Sequence, residues 1–324
     1  MKRLFLILVF LTAAGIKTAF ADEAPVLFFQ GQMRQGEMLF GFVTPGSDLT
    51  VNGEKITPRK DGWFAFGIGR DDTGKLTFTA EKGKKKTVRT YTIAPRKWNI
   101  QRVDGLPQNT VTPSEEEEKR IADEAVLTQN ARQKGADMEL PLCFGMPATG
   151  RISSIYGSQR IMNGIPGNAH NALDIANKEG SKITAPADGV VLLAHDDMFL
   201  SGKTVLIGHG QDIVTSYIHM SKIAVKEGQK IKKGQEIGRI GMTGRATGPH
   251  LHWVVSWKNK RVDPQVFLKN SEKFCPPAEK NRLNPGKKEL KHEKNPSFTD
   301  LLHSFPAFRS ARIGADVLQR RHGI

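Results

Sequence analysis

Short runs of β-branched and aromatic residues, each closed by a glycine- or asparagine-bearing turn, fill two blocks of this chain and leave little room for helix in either. In the first block, Leu49-Thr50-Val51 and Lys55-Ile56 flank Asn52-Gly53. That pair suits a two-residue hairpin turn, because both central residues must take φ > 0. Residues 62–68 place apolar side chains on both faces, and residues 75–80 and 87–93 are joined by a turn through Lys82-Gly83. Several short strands at this spacing predict a small β-sandwich over residues 22–98. A second strand-rich block spans 141–269, with its clearest strands at 183–193, 204–207, 213–219 and 236–240. The segment between, 99–140, is polar. Thr112-Pro113-Ser114-Glu115 predicts a helix there, capped by Thr112, ending at Gly135 and carrying a thin apolar stripe of Ile121, Ala125 and Val126.

The ends of the 324-residue chain differ in character. Lys2 and Arg3, an apolar run and Thr18-Ala19-Phe20-Ala21 have the charged, apolar and small-residue order of a secretory signal, so residues 1–21 are expected to be removed and the product exported. Residues 270–324 lack a strand pattern and are expected to form a basic, disordered tail. The formal charge of +15 suits polyanions. With no nucleic-acid motif and an exported product, a cell wall or anionic envelope surface is the expected partner, not nucleic acid. Cys143 and Cys275, the two cysteines, flank the second block and could close one disulfide in an oxidising compartment.

Chemistry concentrates in the second block. In Pro249-His250-Leu251-His252-Trp253-Val254-Val255 the two histidines stand at i and i+2, so on a strand they leave the same face. His170 and Asp174 also have an even spacing, which on an extended chain again puts both side chains on one side. Histidine, aspartate and a later histidine give three nitrogen and oxygen ligands and leave one position open on a tetrahedral ion, with zinc the best fit to those donors. The H-E-x-x-H helix signature is absent, so the base must come from elsewhere. The histidines left over are His250 and His219, in Tyr217-x-His219, and either could carry a proton near neutral pH.

His170-x-x-x-Asp174, Tyr217-x-His219 and Thr247-Gly248-Pro249-His250-Leu251-His252-Trp253, in this order, resemble the LytM/lysostaphin-type zinc endopeptidases that cut peptidoglycan. The resemblance covers about residues 150–267, including Ser158-Gln159-Arg160 and Ala185-Pro186-Ala187-Asp188-Gly189. It implies an antiparallel, mainly β LytM-type domain of the duplicated-hybrid-motif kind, one zinc held by His170, Asp174 and His252, and His250 and His219 assisting the water and the oxyanion. The implied substrate is a peptidoglycan peptide and the implied place the periplasm or envelope. Because some relatives have lost ligands and regulate other hydrolases, the competing expectation is a non-catalytic regulator or wall-binding module with an envelope partner. Ala172 stands where the family usually has glycine, which is expected to strain that loop. Arg160 and Arg245 are expected substrate contacts, since a guanidinium fork matches a carboxylate. Asn163 is a weaker candidate for a fourth ligand. His209 reads as a turn residue, and His195, His292, His303 and His322 have no partner at ligand spacing.

Overall fold

The computed structural model describes residues 23–103, 114–162 and 165–277. The signal segment, Thr112 and Pro113, Asn163, His292, His303, His322 and the tail from 278 lie outside the described residues. No helix among the described residues is long and apolar enough to cross a membrane.

Seven strands open the fold: β1 (Leu27–Gln30), β2 (Met38–Val43), β3 (Asp48–Val51), β4 (Glu54–Ile56), β5 (Trp63–Gly67), β6 (Lys75–Lys82) and β7 (Lys85–Thr92). They form two antiparallel sheets, ordered β1-β2-β5 and β4-β3-β6-β7. Asn52 and Gly53 turn the β3–β4 hairpin with φ of 49° and 84°, as the primed turn requires. β2 and β5 are buried throughout. They are covered twice. Phe66 packs on Phe78 of β6, while Phe40 and Trp63 pack on Phe274 near the far end of the chain.

β8 (Ile100–Val103) is followed by α1 (Glu115–Lys134), the single long helix among the described residues. Its cap is Ser114, not Thr112. The Ser114 N–H donates to Glu117 at 2.8 Å and the Glu117 N–H returns the bond to Ser114 Oγ at 3.3 Å, a reciprocal capping box. Thr112 with Glu115 and Ser114 with Glu117 satisfy the same sequence pattern, so the pattern alone leaves the start uncertain by two residues. The expected apolar stripe is not what docks this helix. Val126 is 55% exposed, and contact is made through buried Ala131, the Glu124 carboxylate accepting the Phe199 N–H at 2.9 Å, and an Arg120–Asp197 ion pair at 3.0 Å.

The remaining strands are β9 (Arg151–Ser154), β10 (Gln159–Met162), β11 (Ile165–Pro166), β12 (Leu173–Ala176), β13 (Lys182–Thr184), β14 (Gly189–Met198), β15 (Gly202–Gly208), β16 (Ile213–Ile223), β17 (Lys230–Ile231), β18 (Glu236–Ile240), β19 (His250–Trp257) and β20 (Lys260–Val262), and α2 (Pro264–Ser271) closes the body. Ten of them make one sheet whose main path runs β17-β14-β15-β16-β19-β12-β9. β8 pairs parallel with β10, bringing the linker against this block. The two blocks share one hydrophobic core, running from Leu27 through Trp257 to Phe267.

The folded body also extends past the expected boundary at 270. Buried Asn270 donates from Nδ2 to Glu37 Oε1 at 2.8 Å and to the Met38 carbonyl at 2.9 Å, satisfying a buried carboxylate of the first block. Cys275 is bridged to Cys143. These contacts span more than 130 residues of sequence; the bridge is the one that the two cysteines allow, and no local composition announces the Asn270 contacts.

Candidate metal centre

β12 and β19 are antiparallel neighbours, and their register sets Asp174 opposite His252 and Ala176 opposite His250. His250 and His252 therefore leave one face of β19, as the i, i+2 spacing requires. His170 reaches the same place differently. It precedes β12 and is not on a strand, so the even spacing from Asp174 does not position it. Its backbone is clamped instead, with the Gly157 N–H donating to the His170 carbonyl and the His170 N–H to the Ser158 carbonyl, both at 2.7 Å. Gly157 is needed there twice over. Its φ is 87°, and a Cβ would lie 2.0 Å from the Trp98 ring.

Asp174 bridges His170 and His252. Its Oδ1 is 2.8 Å from His252 Nδ1 and its Oδ2 is 3.0 Å from His170 Nε2. One donor atom from each of the three residues lies within 4.8 Å of the others. His170 Nδ1 is 3.0 Å from the Ile155 carbonyl. A carbonyl can only accept, so the proton sits on Nδ1 and the lone pair on Nε2. Nε2 is buried, and its polar neighbour among the described residues is the Asp174 carboxylate. A lone pair withdrawn from water and aimed at a carboxylate fits a cation better than it fits the carboxylate alone.

Burial by itself would raise the Asp174 carboxyl, but the hydrogen bonds and charge of both imidazoles outweigh it and hold the group far below the usual carboxylate range. Burial lowers both imidazoles too. At His170 the Asp174 carboxylate wins and the net shift is upward, while at His252 burial wins and the shift is downward.

His219 and His250 complete the cluster, with ring centroids 4.9 Å apart. Each points its Nδ1 at a carbonyl, Thr243 for His219 and Gly248 for His250, both at 2.8 Å. Each therefore keeps its Nε2 lone pair free to accept a proton. Burial pushes the His219 imidazole down to about 4, so it is neutral at pH 7. His219 also holds φ at 64°, in the left-handed region, an unfavourable conformation for a non-glycine residue that is typical of functional sites. His219, His250 and His252 form a second group within ligand distance. It lacks a carboxylate, and it leaves the His170 lone pair without a partner.

A groove of about 990 Å³ runs over this face. It is lined by residues 151–155 and Asn99, and by Arg245, Thr247, Gly248 and Pro249. Arg245 is thus in the groove. Arg160 lies on β10 opposite Gln101, and its side chain is outside the described part. Ala172 is fully buried and does not take a left-handed φ, so the expected strain at the usual glycine position is absent. His195 is remote from the site, with its Nδ1 3.2 Å from the Asp197 N–H. Arg151, Ser154 and Asn99 had no sequence signal, because only the sheet register and the packing of the linker bring them to the groove.

His209 flanks the turn at 210–212, its N–H bonded to the Ile213 carbonyl at 2.9 Å, and it is fully buried. It heads a polar chain, donating from Nδ1 to the Asp188 carbonyl at 2.7 Å and accepting at Nε2 from Thr215 at 2.9 Å, while Tyr217 reaches Thr215 at 2.8 Å. Burial pushes its imidazole down to about 4. In the unfolded chain a histidine titrates near 6.5, so between these values the unfolded state binds the extra proton and stability falls as pH falls. From pH 7 to 4.5 this site should remove roughly 2–3 kcal/mol. Urea unfolding at both pH values should show that loss, and His209→Gln should flatten it. An equal loss in the variant would assign the acid limb to other groups.

Several known proteins are similar to this chain. Residues 168–264 match peptidase family M23. The chain is 43% identical over 94 residues to the peptidoglycan DD-endopeptidase ShyA of Vibrio cholerae serotype O1, covering 29% of this chain and 22% of that protein. To ShyC, also a peptidoglycan DD-endopeptidase of that organism, it is 32% identical over 180 residues, 54% of this chain and 40% of the relative. To the murein hydrolase activator NlpD of Escherichia coli K12 it is 30% identical over 122 residues, 38% and 30% of the two chains. The chain thus spans less than half the length of these curated relatives. A crystal structure from Pseudomonas aeruginosa assigned to peptidase M23 superposes with a TM-score of 0.54 at 27% identity, covering 75% of this chain and 92% of that one. The family match spans β12 through β19, which carry four of the five clustered residues, and with these likenesses it identifies the chain as one that carries a peptidase family M23 domain.

Proposed function

We propose that the chain is a zinc endopeptidase that hydrolyses peptide bonds in peptidoglycan, acting outside the cytoplasm in the periplasm or envelope. The observation that carries this reading is the buried His170 Nε2 lone pair converging with Asp174 and His252. One zinc ion bound there would lower the pKa of a water to about 7 and polarise the substrate carbonyl. His170, Asp174 and His252 would hold it, with the Ile155 carbonyl fixing the His170 tautomer. His250 and His219 offer Nε2 to take the water's proton. Whichever imidazole receives it then becomes a donor, able to steady the developing oxyanion or return the proton to the leaving amine. Arg245, which lines the groove, contacts the peptide. The Cys143–Cys275 bridge and the strongly basic charge support an oxidising, polyanion-rich surrounding.

The similarity to NlpD favours a second reading, in which the domain regulates another hydrolase through an envelope partner. The full chain incubated with purified sacculi separates the two. Release of soluble muropeptides, with about one zinc per chain by metal analysis, is the expected result. A zinc-loaded chain that releases nothing from any wall preparation would favour the regulator.

A further inference from the structure

We infer that Arg151, acting with Arg245, makes the groove a reader of carboxylates, so that the peptide preferred is one carrying free carboxylates rather than an uncharged one. This rests on the peptidase reading and specifies its substrate.

The sheet register carries the argument. Ser154 pairs with Asp174, and Arg151 pairs with Ala176 across a register shift between Asp174 and Ile175. Residues three apart on a regular strand face opposite ways. The shift removes that opposition, because Arg151 and Ser154 are now paired with Ala176 and Asp174, two residues that share a face. Ala176 in turn pairs with His250, and Asp174 with His252. Two adjacent rungs result, His252–Asp174–Ser154 and His250–Ala176–Arg151. Arg151 therefore stands on the face of the metal centre, in line with His250, with only the methyl group of Ala176 between them. Two strand spacings put their Cα atoms roughly 10 Å apart, about the length of three residues of an extended peptide.

Charge completes the case. Arg151 and Arg245 are both exposed and both line the groove. Arg151 is on β9, and Arg245 is in a loop where its N–H donates to the Leu200 carbonyl between β14 and β15, strands that lie on the other side of β12 and β19 in the sheet order. Neither has an ion pair or side-chain hydrogen bond among the described residues. Among the described lining residues the one acid is Asp174, and its two oxygens are engaged by His170 and His252. A guanidinium with unspent donors in a concave site matches a carboxylate through two parallel bonds. Two of them flanking one centre match a peptide with a carboxylate on each side of the bond to be cut.

The test is calorimetric titration of the full chain with a soluble cross-linked wall peptide bearing free carboxylates, and with the same peptide amidated at those groups. The free acid should bind about 100-fold tighter, at about tenfold per charge-assisted contact. Arg151→Gln and Arg245→Gln should each cut this preference about tenfold, and added salt should shrink it in the wild type. Arg151→Lys should restore part of it, since the charge returns without the fork. Equal binding of the two peptides, or an undiminished preference in Arg151→Gln, overturns the inference. Because a binding heat does not require turnover, a clear preference in a chain that cleaves nothing would leave this inference standing and sink the peptidase reading. Cleavage without preference would do the reverse.

Discussion

Alanine in place of His252 should leave the purified chain unable to retain zinc and without activity on wall peptides. His252 and Asp174 face each other across β12 and β19, so removing the imidazole deletes one ligand and unpairs one oxygen of the carboxylate that joins the other two. Changes in residues that only support a ligand cost about 10–100-fold in metal affinity, so loss of a ligand itself should cost more than about 100-fold. Turnover should fall by at least the same factor. Competition against a chromophoric chelator measures the first quantity and muropeptide release the second. His195→Ala, a change remote from the centre, should alter neither. Undiminished zinc affinity in His252→Ala would show that the metal is held elsewhere.

His250→Ala should separate what His252→Ala joins. The variant should keep its zinc and lose about 10²–10⁴ in kcat, the range that a positioned proton carrier supplies. The experiment also decides between the two overlapping groups of possible ligands. If the ion sat among His219, His250 and His252, His250→Ala would lose the metal along with the activity. If it sits with His170, Asp174 and His252, only the activity goes. His170→Ala gives the complementary result, losing metal in the second arrangement and retaining it in the first.

The convergence of the candidate residues was largely legible in the sequence because they fall into three short motifs. The i, i+2 pair at His250 and His252 needed only strand geometry. His170 was found for a reason the structure does not support, since a loop clamped at Gly157 and Ser158 positions it, not strand alternation. Asn52-Gly53 gave its hairpin correctly because the turn's φ requirement is local. What the sequence hid is non-local. The burial of Asn270 on Glu37, the continuation of the body to Cys275 and the core shared by both blocks depend on partners more than 130 residues away. Arg151 was hidden for a subtler reason. A one-residue shift in register decides which face a side chain takes, and no residue type in residues 151–154 marks it.

The Cys143–Cys275 bridge has a consequence for tension along the chain. It joins positions 132 apart in sequence, outside β9 at one end and α2 at the other, so the ten-stranded sheet and every candidate ligand lie inside a covalently closed loop. A pull applied between the segment before Cys143 and the segment after Cys275 is borne by one covalent link. The hydrogen-bonded ladders between those points carry none of it. A domain anchored by its flanks to a stretched polymer would thus keep its metal centre unloaded while the link is oxidised, and would feel the full load on its strands once the link is reduced.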